Sequence, residues 1–125
     1  MVHDADVTRQ RAVVDAFLAA SRSGDFEALL AVLDPNVLLR ADAASVRMGV
    51  ASELRGAMNV AQNFAGRARA AQLAIVDGCV GLAWAPGGKP RVVFGMTISG
   101  GRIVAIEQIA DAERLGELVI TLLDG

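Results

Sequence analysis

Ala70-Ala71-Gln72-Leu73-Ala74-Ile75-Val76-Asp77-Gly78-Cys79-Val80-Gly81-Leu82-Ala83-Trp84-Ala85 is the stretch that decides the fold of this chain. Two runs with strand character, Ala70–Val76 and Cys79–Ala85, flank Asp77-Gly78, a hairpin linker in which glycine supplies the positive φ of a tight turn. The pattern continues downstream. Arg91–Ser99 and Arg102–Ala110 also read as strands, with Pro86-Gly87-Gly88-Lys89-Pro90 and Gly100-Gly101 as their connections. The glycine pairs are turns, not phosphate loops, because no helix follows either one. A four-strand antiparallel meander is therefore expected over the second half of the chain.

Upstream the period changes. Val13, Val14, Phe17, Leu18 and Ser21 recur at helical spacing, with Arg11, Asp15 and Arg22 off that stripe. Ser23-Gly24 stops this helix, and Asp25 is placed to cap a second one carrying Phe26, Leu29, Leu30 and Leu33. Asp34-Pro35-Asn36 ends it, since proline disfavours helical geometry in the residue before it. Val37–Asp42 alternates like a short strand, and residues 43–51 show no period and read as a loop. Ser52 looks like the cap of a third helix bearing Leu54, Met58, Ala61, Phe64 and Ala65. A last amphipathic segment runs from Asp111 to about Leu123, with Leu115, Leu118, Val119 and Leu122 on one side. Helices followed by an antiparallel run define an α+β class. The expected architecture is a single domain over residues 1–125, a curved sheet wrapped on a helical hairpin plus a third helix, with an internal pocket.

Composition excludes several functions. The chain has 125 residues, of which 54% are hydrophobic, enough for a core without covalent staples. One cysteine, Cys79, and one histidine, His3, leave nothing from which to build a disulfide framework, a zinc site or a His-based nucleophile pair. Twelve basic residues against 14 acidic ones argue against binding nucleic acid by charge. Lys89 is the only lysine. The polar, acidic start and the lack of a long apolar run predict neither a secretory signal nor a membrane span, hence a reduced, cytoplasmic setting. No metal and no cofactor are expected. Val, Ile, Phe and Met at both parities of Arg91–Ser99 suggest that the second sheet face also needs cover, and a homodimer through the sheet is expected of the isolated chain.

The element order resembles the cystatin-like α+β barrel of the nuclear-transport-factor-2 superfamily, and within it the SnoaL-like branch. Arg9-Gln10-Arg11-Ala12-Val13-Val14-Asp15-Ala16-Phe17-Leu18-Ala19-Ala20, Gly24-Asp25-Phe26-Glu27-Ala28-Leu29-Leu30 and Leu33-Asp34-Pro35-Asn36-Val37-Leu38-Leu39-Arg40-Ala41-Asp42 are similar to the SnoaL-like domain at the C-terminus of a group of extracytoplasmic-function sigma factors. Gly100-Gly101-Arg102-Ile103-Val104-Ala105-Ile106 resembles their closing strand. That family carries an Asn/Asp-Pro-acid-base-Leu motif after the last strand, present here as Asp111-Ala112-Glu113-Arg114-Leu115 with alanine in place of proline. The resemblance implies contacts of Asp111, Glu113, Arg114 and Leu115 with a sigma-factor core region, or with RNA polymerase through a parent protein. It also implies a regulatory, non-enzymatic role that a small apolar ligand could modulate.

Related pockets with cyclase, isomerase or hydrolase activity use a carboxylate base. This chain has no tyrosine. Arg40 and Asp42 share a strand face: they would line the pocket as anion binder and base, or pair with each other, and Arg40 would then lower the Asp42 pKa. Trp84 alternates with Val80 and Leu82 and is either pocket wall or core, an ambiguity shared by Met58, Phe64, Phe94 and Met96. Glu107 and Gln108 point to opposite sides of the last strand, which makes Gln108 the pocket candidate. Cys79 is expected to be a buried, inert strand residue. Arg40, Asp42, Met58, Trp84 and Gln108 are thus the candidate ligand-binding residues.

Overall fold

The computed structural model describes residues 4–67 and 70–123; His3 lies outside the described residues. Helix α1 (Asp4–Ser23) buries Val14, Phe17, Leu18 and Ser21, the stripe expected from their spacing. Gly24, at φ +72°, turns the chain, and the Asp25 carboxylate accepts from the Ala28 N–H at 3.1 Å to start helix α2 (Phe26–Val32). The helical hairpin is as expected, but its exit differs. Strand β1 (Leu33–Ala41) begins directly after α2 and absorbs Pro35 at an irregularity between Leu33 and Leu38. A bulge tolerates proline because the ladder is already broken there.

Three further segments depart from the sequence reading. Asp42 does not continue the strand. Its carboxylate caps helix α3 (Ala43–Arg47) by accepting from the Ser45 N–H at 2.8 Å, within the stretch expected to be a loop. The helix expected from Ser52 is delayed, because Leu54 pairs opposite Leu39 in strand β2 (Glu53–Arg55) and Gly56, at φ +90°, interrupts the chain before helix α4 (Ala57–Phe64). The C-terminal segment divides into helix α5 (Ala112–Glu117) and strand β7 (Ile120–Leu122). Gly116 weakens the helix, the β-branched run Val119-Ile120-Thr121 favours a strand, and Asp77 exchanges two hydrogen bonds with Val119: its N–H donates to the Val119 carbonyl and its carboxylate accepts from the Val119 N–H, each at 2.8 Å.

The meander is present as β3 (Gln72–Val76), β4 (Cys79–Trp84), β5 (Val92–Ser99) and β6 (Arg102–Ile109). Neighbours in the sheet run β2-β1-β6-β5-β4-β3-β7, antiparallel except for β1 with β6, which pair in parallel after the whole of β2 to β5 has intervened in the chain. The sheet is curved and stays open, so the expected barrel does not close; β2 and β7 are its edges. Gly81 is required where β4 leans on β5: a Cβ there would stand 2.4 Å from the Phe94 carbonyl oxygen, a contact that backbone cannot relieve cheaply.

The inner face packs Leu73, Val80, Leu82 and Ile106 against α1, α2 and α4 in one core. The outer face carries a second, small cluster. Ala74, Ala83 and Val93 are buried there, with Leu115, Ile120 and Leu122 of the chain's own C-terminal segment packed against them. Part of the apolar outer surface that motivated a dimer is therefore covered within one chain. Cys79 is exposed next to the β3–β4 turn, contrary to its expected burial. Among the described residues no helix is long and apolar enough to cross a membrane.

Candidate functional site: the open end of the inner sheet face

Strand pairing sets one row of inward side chains. Phe94 stands opposite Gln108 on β5 and β6, and Leu82 opposite Phe94 on β4 and β5. Phe64 of α4 bridges the helices to this row, meeting Phe17 edge-on at 5.0 Å and Phe94 at 5.6 Å between ring centres. Edge-to-face pairs of this kind hold the rings in fixed orientations. Beyond Phe94 the helices no longer cover the sheet. A cavity of about 220 Å³ opens there, walled by Trp84, Val92, Phe94 and Gln108 of the sheet and by Arg67 and Ala71 of the loop after α4. A second recess, of about 140 Å³, shares Arg67, Phe94 and Gln108 and adds Val50, Asn63 and Phe64. The Arg22 guanidinium donates to the Ala71 carbonyl and so fastens the loop wall to α1.

Gln108 is the polar group of this site. Its residue is 7% exposed, and it lines both recesses. Its backbone is held firmly: the Gln108 carbonyl accepts from the Asp42 N–H at 3.0 Å and from Ser45 Oγ at 3.4 Å. Trp84 is 39% exposed, so it forms a rim with one side in solvent. Both candidates meet in one cavity, as the alternation along β4 and β6 indicates.

The other three candidates lie elsewhere. Met58 is 62% exposed on α4 and borders neither recess. Arg40 points to the outer side and pairs with Glu53 at 3.6 Å, not with Asp42. Asp42 is committed to the backbone: besides capping α3, its carboxylate accepts from the Ala110 N–H at 2.9 Å and the Asp111 N–H at 3.0 Å. Partial burial raises its pKa, but the hydrogen bonds of Ser45, Asp111 and Ala110 outweigh that and bring it from 3.8 to about 2. The neighbour responsible is this set of N–H and O–H donors rather than Arg40. Arg67 and Asn63 are site residues that the sequence reading missed. Arg67 follows Gly66 at a helix end, where a lone arginine carries no signal.

The five-residue stretch from Asp111 also has defined positions. Asp111 caps α5 by accepting from the Arg114 N–H at 2.9 Å, Arg114 forms an ion pair with Glu107, and Leu115 packs on the outer cluster. Glu113 is exposed. Two larger recesses lie on this outer side, about 420 Å³ beside Arg40, Glu107 and Arg114 and about 330 Å³ beside Lys89, Arg91 and Leu115. In the first, Arg40 and Arg114 already pair with carboxylates. Among the described residues no group of His, Cys, Asp and Glu is placed to hold a metal ion.

An open, curved mixed sheet wrapped on a helical hairpin with a cavity at one end defines the NTF2-like, SnoaL-like class of fold, and the structural neighbours of the chain are proteins of that class. One of them is the extracytoplasmic function sigma factor SigJ of Mycobacterium tuberculosis, 23% identical with a TM-score of 0.64, over 85% of this chain and 43% of that one. The chain thus spans under half the length of that sigma factor. An NTF2-like protein of unknown function from Burkholderia xenovorans LB400 matches at 19% identity and a TM-score of 0.56, over 82% of each chain. A putative polyketide cyclase from Sinorhizobium meliloti matches at 16% identity and a TM-score of 0.53, over 78% of this chain and 94% of that one. Neither a family model nor a curated protein sequence matches the chain.

Proposed function

We propose that the chain is a non-enzymatic, ligand-binding regulatory domain that acts by contact on the core of an extracytoplasmic function sigma factor. The observation that carries this reading is the division of labour around Gln108. Gln108 lines the cavity, while its backbone carbonyl is tied to Asp42, whose carboxylate accepts from Ala110 and from Asp111, the first residue of the 111–115 stretch. Ligand site and contact motif are thus three residues apart on one continuous, hydrogen-bonded segment. A ligand shifts docking only if it favours one state of the domain, and this segment is where such a preference would be felt. The likeness to SigJ supports the choice of partner.

The cyclase or isomerase reading, with Asp42 as base, draws support from the S. meliloti neighbour. It loses that support at the residue itself, since a carboxylate with three backbone N–H donors and a pKa of about 2 is a weak base outside the cavity. The test is biolayer interferometry of the purified chain against the core regions of an extracytoplasmic function sigma factor from the same genome. Micromolar binding is expected, weakened at least tenfold by Glu113→Arg, an exposed reversal that leaves the α5 cap intact. No binding, or binding indifferent to Glu113→Arg, overturns the proposal.

A further inference from the structure

The two edges of the sheet are guarded differently. Edge strand β2 carries Glu53 and Arg55, both exposed, and Glu53 pairs with Arg55 and with Arg40 of β1. Charges on an edge deter a further strand. At the other edge, Leu118-Val119-Ile120-Thr121-Leu122-Leu123 holds no charge, glycine or proline, and Val119 is 71% exposed. An uncharged, β-branched edge is a template for strand pairing. Its backbone shows which groups are on offer. The Val119 carbonyl accepts from the Asp77 N–H at 2.8 Å, and the Leu123 N–H donates to the Leu73 carbonyl at 2.9 Å, with Thr121 opposite Ile75 between them. In an antiparallel ladder, residues that bond one neighbouring strand alternate with residues that bond the other. The N–H and C=O groups of Ile120 and Leu122 therefore point away from β3, where the sheet ends.

The strand is its own complement. Antiparallel pairing about a two-fold axis at Thr121 sets Ile120 of each copy opposite Leu122 of the other and engages the outward groups of both residues. Ile120 and Leu122 pack on the outer cluster, so the two clusters join across the seam into one apolar strip. The exposed Thr121 meets its own copy on the opposite side of the sheet, a favourable cross-strand pair, and no like charges face each other. We infer that β7 is a self-association edge at which a second copy of this chain joins its sheet to the first. The inference goes beyond the regulatory reading and does not depend on it.

The test is sedimentation equilibrium of the wild type, of Thr121→Lys, of Thr121→Glu and of an equimolar mixture of the two variants. The wild type is expected to dimerise with a Kd on the order of 100 µM, as suits a small interface. Each variant alone sets like charges opposite one another and weakens the dimer at least about fivefold, while the mixture regains the wild-type affinity. Amide hydrogen exchange on the wild type gives the same answer where a substitution disturbs folding. The Ile120 and Leu122 amides slow as protein concentration rises, and the Thr121 amide, already bonded to β3, does not. A wild type that stays monomeric at about 1 mM, a mixture no tighter than its parts, or exchange at Ile120 and Leu122 that ignores concentration overturns the inference and leaves the regulatory reading standing.

Discussion

The two ends of the inner sheet face follow the same alternating pattern and come to opposite results. At the closed end Val80, Leu82, Ile103 and Ile106 are fully or almost fully buried against Phe17 and Leu29. At the open end Trp84, Phe94 and Gln108 continue the same strands, but the helices stop short and a cavity remains. Strand periodicity tells which side a residue faces and not whether anything packs against it. That second fact depends on where α1 and α4 end, at Ser23 and Phe64.

Substitutions at the two ends should separate them. The largest effect belongs to the closed end, where Phe17→Ala removes a fully buried ring and is expected to cost about 3–5 kcal/mol. Trp84→Ala deletes a larger side chain that already has solvent on one side, and about 1–2 kcal/mol is expected. Urea unfolding of the two variants checks the pair, and equal losses would mean that the open end is packed like the core.

Asp42 stands behind the open end and yields a pH signature. Its folded pKa is depressed to about 2 from 3.8, so its contribution is fully present above about pH 4 and is lost as pH falls through the folded value. Discounted for its partial exposure, about 1–2 kcal/mol is at stake. The stability gap between the wild type and Asp42→Asn should therefore narrow between pH 4 and pH 2, as read by thermal unfolding. A gap that stays constant over that range would detach the carboxylate from its three N–H donors. The smallest effect belongs to the cavity wall. Gln108→Leu exchanges a side chain that lines the open recess for an apolar one of similar size and should change the stability of the ligand-free domain by less than about 1 kcal/mol in urea unfolding.

Much of the fold was legible in the sequence because its signals are local. The Asp77-Gly78 and Gly100-Gly101 turns, the Gly24 stop and the Asp25 cap each act within a few residues, and all are in place. The misread segments are those decided at long range. Leu54 joins a strand because Leu39 lies beside it, and the C-terminal run becomes β7 because the edge of β3 and Asp77 are there to receive it. Asp42 was the avoidable error. Aspartate is a favoured N-cap residue, and reading Asp42 as a strand residue creates an Arg40–Asp42 pair that the structure replaces with Arg40–Glu53. At the site, parity on β4 and β6 located Trp84 and Gln108. Met58 was misplaced with the start of its helix, and Arg67 reaches the cavity from a loop with no period to betray it.

The central claim is that recognition happens at the open end of the inner face and not on the sheet's outer side. The most direct measurement is heteronuclear NMR mapping of a chemically mixed fragment set on the folded chain. Shifts clustered on Trp84, Phe94, Gln108 and Arg67, with those of Arg40, Thr97 and Glu107 unmoved, are the predicted result. Shifts clustered instead on Arg40, Thr97 and Glu107, with Trp84 and Gln108 silent, would contradict it.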